Sequence, residues 1–157
     1  MAINLRVAQE VDTSPLSALR AAFWSDQIAK GSLDNPDTDP EKLLADTANL
    51  IKRARTMVFI ATDQEKPVGY LLGQTKIVPG AMGSVVSSIE EIFVLPQYRR
   101  TTVARKLVEN ALDGFKASGS KRFQLRVLEN NHAGKAFWRQ IGFSPAVTIY
   151  EYASTQD

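Results

Sequence analysis

Apolar and polar residues alternate from Ile3 to Val7, the period of a strand with one buried face. Ser14 and Pro15 follow as a cap and a first-turn proline, and Leu16, Leu19, Ala22 and Phe23 recur at helical spacing toward Trp24, so a helix is predicted there. Residues 31–39 are rich in Asp, Asn and Pro and read as a loop. Asp39-Pro40-Glu41 then combines a cap, a proline at the first helical position and an early acid. This predicts a second helix from Pro40 toward Arg55, with Leu43, Leu44, Leu50 and Ile51 inward and a basic end that suits the helix dipole. Two β-rich runs, 57–62 and 68–76, flank Asp63-Gln64-Glu65-Lys66-Pro67 in the pattern of an antiparallel hairpin.

Beyond a loop at Pro79-Gly80-Ala81-Met82-Gly83, residues 85–95 predict a long strand and 101–117 a helix that stops before Gly119. Another alternating strand is expected over 122–128, a short helix over 133–141 with Gly142 as its terminator, and a last strand over 148–152. No internal repeat or low-complexity segment interrupts this order.

The 157 residues fit one domain, 1–157, long enough to bury about 70% of the surface an unfolded chain exposes. With 44% hydrophobic and 23% charged residues, neither disorder nor a fibrous architecture is indicated. There are no cysteines, which removes disulfides, thiolate metal sites and a cysteine nucleophile. The one histidine, His132, cannot supply a multi-histidine metal site, so no metal is expected, and no Gly-x-Ser-x-Gly elbow supports a serine triad. A net charge of +2 gives nucleic acid little support. Lys52, Arg53, Arg55, Arg99 and Arg100 also lack the interleaved aromatics that a single strand would stack on. No apolar run approaches membrane length, and the expectation is a soluble, cytoplasmic protein with no membrane partner.

The chemistry is concentrated in Val94-Leu95-Pro96-Gln97-Tyr98-Arg99-Arg100-Thr101-Thr102-Val103-Ala104-Arg105-Lys106, a buried strand, a short basic loop and a helix opening. Free amides at a helix N-terminus, the positive end of the helix dipole and flanking arginines all favour negative charge at one point. The expected ligand is anionic, the alternative being solvated charges on an ordinary helix start.

This segment resembles the coenzyme A pyrophosphate loop of the GCN5-related N-acetyltransferases, and Asn131 to Phe143 resembles their second motif, with Asn131, a small residue at Gly134, aromatics at Phe137 and Trp138, and Gly142-Phe143. The resemblance covers nearly the whole chain and implies an α/β domain whose mixed, mostly antiparallel sheet is flanked by about four helices. It implies acetyl-CoA as cofactor, with Arg99, Arg100, Thr101, Thr102, Val103, Ala104 and Arg105 at the pyrophosphate. Backbone amides near Ile92, Phe93 and Val94 would hold the pantetheine arm and polarise the thioester, and Asn131, Gly134 and Lys135 would lie on the cofactor side. Two positions depart from the family pattern. Thr102 stands where a glycine would let the backbone approach the phosphates, although its hydroxyl is itself a donor. Trp138 stands where many members carry a tyrosine proposed to protonate the leaving thiolate, and an indole cannot do that; packing beside Phe137 is its other role.

Successive strand side chains alternate, so in Ile89-Glu90-Glu91-Ile92 the two carboxylates are expected on opposite faces, one of them inward or lining a cleft. The run resembles the acidic strand of small-amine acetyltransferases, which assigns Glu90 as general base and places Glu91 and Trp24 on the acceptor side. Burial beside Ile92 and Phe93 would make Glu90 a better base, and ordinary ion pairs with arginines are the other reading. Asp34, Asp37, Asp39 and Glu41 either attract a cationic amine or cap the second helix. The resulting expectation is acetyl transfer to the primary amine of a small molecule by direct attack. The alternatives are a protein or peptide N-acetyltransferase and a catalytically impaired acyl-CoA-binding module. A homodimer stays open.

Overall fold

In a computed structural model, residues 1–80 and 84–154 are described, so Ala81, Met82 and Gly83 of the expected loop at 79–83 lie outside the described residues. Strands β1 (Ile3–Val7), β2 (Thr56–Asp63), β3 (Lys66–Ile77), β4 (Val85–Val94) and β5 (Arg122–Leu125) lie in that order in one sheet. The first four are antiparallel and β5 runs parallel to β4, which is the mixed, mostly antiparallel sheet that was expected. Helices α1 (Thr13–Ala29) and α2 (Pro40–Lys52) connect β1 to β2, α3 (Val103–Ala117) connects β4 to β5, and α4 (His132–Ile141) follows β5.

Alternation along the strands divides the core into two layers. Val58, Tyr70, Leu72 and Phe93 face Leu16, Leu19, Phe23 and Leu50 of α1 and α2. Their neighbours Phe59, Leu71 and Val94 face Val103, Leu107, Ala111 and Phe115 of α3, with Trp138 of α4. Helix α3 comes so close to the sheet that a Cβ on Gly73 would lie 2.3 Å from the Phe115 ring.

Local chemistry sets the helix ends. Asp39 caps α2 by accepting from the Lys42 amide at 3.3 Å, with Pro40 in the first turn. The helix stops at Lys52, short of the expected Arg55, because Arg53 turns extended (ψ 132°) and Arg55 adopts a left-handed φ of 61°. Its inward residues are Leu43, Thr47 and Leu50, while Leu44 is exposed. Gly142, at φ 121°, closes α4 as expected.

Two strand expectations are corrected. β5 ends at Leu125, not at residue 128, and residues 148–152 form no strand. A strand exists only where a neighbour takes its backbone hydrogen bonds, and none of the described residues does so for that segment.

Candidate active site

β4 carries a bulge. Glu91 pairs with Leu72 and Ile89 with Gly73, so Glu90 is an extra residue opposite no partner. The bulge shifts the alternation by one. Ile89 faces the α3 layer, and Glu91, two residues on, faces α1 and α2. Glu90 is left exposed on the bulge, with its carboxylate against the Ser88 hydroxyl. The burial expected for Glu90 therefore falls on Glu91.

Glu91 is 5% exposed, and its carboxylate takes four hydrogen bonds. Arg20 donates from Nε to Oε2 at 2.9 Å and from NH2 to Oε1 at 3.0 Å. Trp24 Nε1 donates to Oε1 and the Tyr70 hydroxyl to Oε2, each at 3.1 Å. Arg20 NH1 reaches Asp46 and Thr47 at 2.9 Å each. Burial disfavours the Arg20 charge, but the hydrogen bonds and attraction of Glu91 outweigh it, so the guanidinium pKa lies above its ordinary value. Burial, followed by the Glu91 charge, pushes the Tyr70 phenol well above its ordinary range, so it remains a donor. Sequence reasoning singled out neither Arg20 nor Tyr70. The available signal was position, because Arg20 is four residues beyond Leu16 and lies on the apolar stripe of α1.

β4 and β5 pair only from Val86↔Arg122 to Ile89↔Leu125, so among the described residues those at 90–94 have a strand neighbour on the β3 side alone. Val94 then leads through a 3-10 turn, Pro96–Tyr98, to a loop in which Arg100 takes a left-handed φ of 59°. Arg99 folds back, with Nε donating to the Val94 carbonyl at 3.0 Å and its guanidinium 5.3 Å from the Phe93 ring centre. Arg100 and Arg105 are exposed. The Thr101 hydroxyl donates to the Tyr98 carbonyl at 2.5 Å and accepts from the Val103 amide at 3.3 Å. Thr102, at φ −84° and ψ 0°, sits in a region open to any residue, and its hydroxyl makes no cap bond. The position needs no glycine for its torsions. Ala104 and Arg105 follow with first-turn amides that have no intrahelical acceptor.

No acid lies in the first turn of α3, whereas Arg105 and Lys106 do. Cations at the positive end of a helix are unfavourable unless an anion joins them. Open amides, cations and the one-sided stretch of β4 together fit an extended, phosphate-bearing cofactor.

In the second motif, Asn131 caps α4 by accepting from the Gly134 amide at 3.0 Å, and Lys135 Nζ lies 2.7 Å from Glu129. Trp138 is buried in the α3 layer, edge-on to Phe137 and Phe143 with ring centres 4.9 and 5.4 Å away. Of the other tyrosines, Tyr98 donates to Asp63 at 2.8 Å, while Tyr150 and Tyr152 are exposed. Between α1 and α2, Asp37 pairs with Lys42, Asp39 is the α2 cap, and Asp34 is exposed. Among the described residues there is no cluster of His, Asp and Glu that would hold a metal ion, and no helix is long and apolar enough to cross a membrane.

In this α/β domain β4 carries a bulge, runs on past its pairing with β5 and leads to a cationic helix start, an arrangement that suits a phosphate-bearing cofactor. The chain belongs to the acetyltransferase (GNAT) family, whose sequence profile matches residues 17–143, and it is an acetyl-CoA-dependent N-acetyltransferase. An aminoglycoside N(6')-acetyltransferase type 1 from Acinetobacter baumannii is 26% identical over 144 residues, 90% of each chain. An uncharacterized N-acetyltransferase from Methanocaldococcus jannaschii is 28% identical over 94 residues, which is 60% of this chain but only 42% of that protein. The solved structure of AAC(6')-Iy with the bisubstrate analog CoA-S-monomethyl-acetylneamine superposes with a TM-score of 0.80 at 20% identity, covering 99% of this chain and all of that one.

Proposed function

We propose that the chain acetylates a primary amine of a small, polycationic molecule by direct attack of that amine on the thioester. The observation that carries this reading is Glu90, an exposed carboxylate on a bulge where β4 leaves β5, a few residues before the loop that opens α3. Acetyl-CoA supplies the activated acyl group. Arg100, Arg105, the Thr102 hydroxyl and the amides of Thr101, Ala104 and Arg105 hold its pyrophosphate, with Arg99 bracing the loop against Phe93 and Val94. The backbone at Ile92, Phe93 and Val94 orients the pantetheine arm, and Asn131, Gly134 and Lys135 flank it from α4.

Glu90 takes the amine proton, directly or through water. Glu91 acts from behind the site. Its carboxylate fixes the Trp24 indole at 3.1 Å, and Trp24, half-buried on α1, presents a wall to the acceptor. Asp34 leaves an exposed negative charge on the loop between α1 and α2, which favours a cationic acceptor. Similarity to an aminoglycoside N(6')-acetyltransferase supports the same substrate class.

Thiol release from acetyl-CoA, measured against aminoglycosides, polyamines, amino acids and short peptides, tests the reading. The expected result is the highest kcat/KM with a multiply charged small amine. Turnover confined to peptide N-termini would overturn it.

A further inference from the structure

Tyr98 ends the 3-10 turn that leads into the loop before α3, and its side chain reaches across to the β2–β3 hairpin. The hydroxyl donates to Asp63 Oδ2 at 2.8 Å, 35 residues earlier in the chain. That hydrogen bond, followed by burial, holds the phenol above its ordinary pKa, so Tyr98 keeps its proton and is the donor. Asp63 Oδ1 accepts from the Ala2 amide at 3.0 Å. Asp63 is itself firmly placed. It pairs with Ile3 of β1 and with Lys66 of β3, and Gln64 and Glu65, at φ 48° and 67°, form the two-residue turn whose twist suits a hairpin.

The loop needs such an anchor. Arg100 holds a left-handed φ of 59°, which a residue with a Cβ keeps only where its surroundings fix it. The other restraints are short-range. Arg99 Nε reaches back to the Val94 carbonyl, the Tyr98 amide to the Leu95 carbonyl, and the Thr101 hydroxyl to the Tyr98 carbonyl. Among the described residues, only the Tyr98 hydroxyl ties residues 96–102 by a hydrogen bond to a strand other than β4.

We propose that Asp63 and Tyr98 are positioning residues for the cofactor: their hydrogen bond pins the loop from Arg99 to Arg105 to the β2–β3 hairpin before acetyl-CoA arrives. The inference rests on the reading of that loop as the pyrophosphate site. A loop ordered in advance loses less conformational freedom on binding, so the pin strengthens affinity without adding a contact to the ligand. Both residues act through Arg100 and the amides of Thr101, Ala104 and Arg105, not on the reacting atoms.

Calorimetric titration of acetyl-CoA, with hydrogen exchange on the free protein, tests the pin. Tyr98→Phe keeps the ring and removes the hydroxyl. It is expected to weaken acetyl-CoA binding about tenfold, the scale of one hydrogen bond to a charged group, and to speed exchange of the Tyr98 and Arg99 amides while the KM of the amine holds. Asp63→Ala should show the same loss, and combining the two should add nothing, because both substitutions break one bond. Asp63→Asn leaves the hydroxyl a partner in either amide orientation and should bind close to wild type. Full affinity in Tyr98→Phe, with weakened binding in the Arg100→Ala, Arg105→Ala double variant, overturns the pin and leaves the loop reading standing. Full affinity in both overturns the pin together with that reading. Additive losses from Tyr98→Phe and Asp63→Ala also overturn it, since the two side chains would then act separately. The two substitutions approach the bond from opposite sides, so the question is decided even if one variant fails to fold.

Discussion

Arg20 and Glu91 lie 71 residues apart in sequence and are joined by two hydrogen bonds of 2.9 and 3.0 Å inside the layer between the sheet and α1. Both side chains are almost fully buried. Removing one member of such a pair leaves a buried charge without its partner, and this costs about 3–5 kcal/mol. Arg20→Ala is therefore expected to lower the urea midpoint sharply. Tyr70→Phe, which removes only one of the four donors to Glu91, should cost about 1 kcal/mol. Equilibrium unfolding of the two variants checks the order, and a larger loss for Tyr70→Phe would contradict it.

Asp12 and Arg6 make a second, more exposed pair, with contacts of 2.6 and 2.8 Å. The Arg6 hydrogen bonds hold the Asp12 carboxyl below its ordinary range against an opposing effect of burial, assisted by the Gln9 amide. A depressed folded-state pKa stabilises the fold above the unfolded value of about 3.9. That contribution fades as pH falls through the folded value. Asp12→Asn should therefore flatten the acid side of the stability curve below pH ~4, as read from midpoints in a pH series. An unchanged slope would assign the acid limb to other carboxylates.

Much of the architecture was legible because its signals are local. Asp39-Pro40 capped α2, Gly142 ended α4, period-two alternation located β1, and β-rich runs between turn residues located β2 to β4. The basic loop before α3 was legible as well, since cations at a helix start stand out in sequence. The bulge at Glu90 was not, because an extra residue in a ladder leaves no compositional mark, and alternation alone left open which of the two carboxylates turns inward. Arg20 was passed over because a cation on an apolar stripe makes sense only once its distant partner is known. The strand expected at 148–152 depends on a neighbour that no local pattern reveals.

Trp138 occupies the position where family resemblance expects an acidic tyrosine, and the rings of Phe137 and Phe143 enclose it. Its role is packing, so Trp138→Tyr should change kcat little. Trp138→Ala should cost about 3–5 kcal/mol through the cavity it leaves. The comparison that decides is Tyr against Phe. A tenfold or greater rise in kcat with Tyr but not Phe would mean that the missing hydroxyl limits turnover.

The two adjacent carboxylates should separate cleanly by readout. Glu90→Gln is expected to lower kcat by ~10²-fold and abolish the acidic limb of the pH–rate profile, as loss of a general base does. Glu91→Gln is expected to show mainly as lost thermal stability, because its carboxylate holds Arg20, Trp24 and Tyr70. The reverse ranking would move the base to the other side of the strand.

The central claim is that the loop from Arg99 to Arg105 and the start of α3 hold acetyl-CoA by its pyrophosphate. Calorimetric titration of acetyl-CoA into wild type and into the Arg100→Ala, Arg105→Ala double variant, each at low and high salt, tests it most directly. Wild-type affinity is expected to fall as salt rises, and the double variant to bind at least tenfold more weakly with a flatter salt dependence, since screening acts on those exposed charges. Unchanged affinity in the double variant, with no salt dependence in either protein, would contradict the assignment.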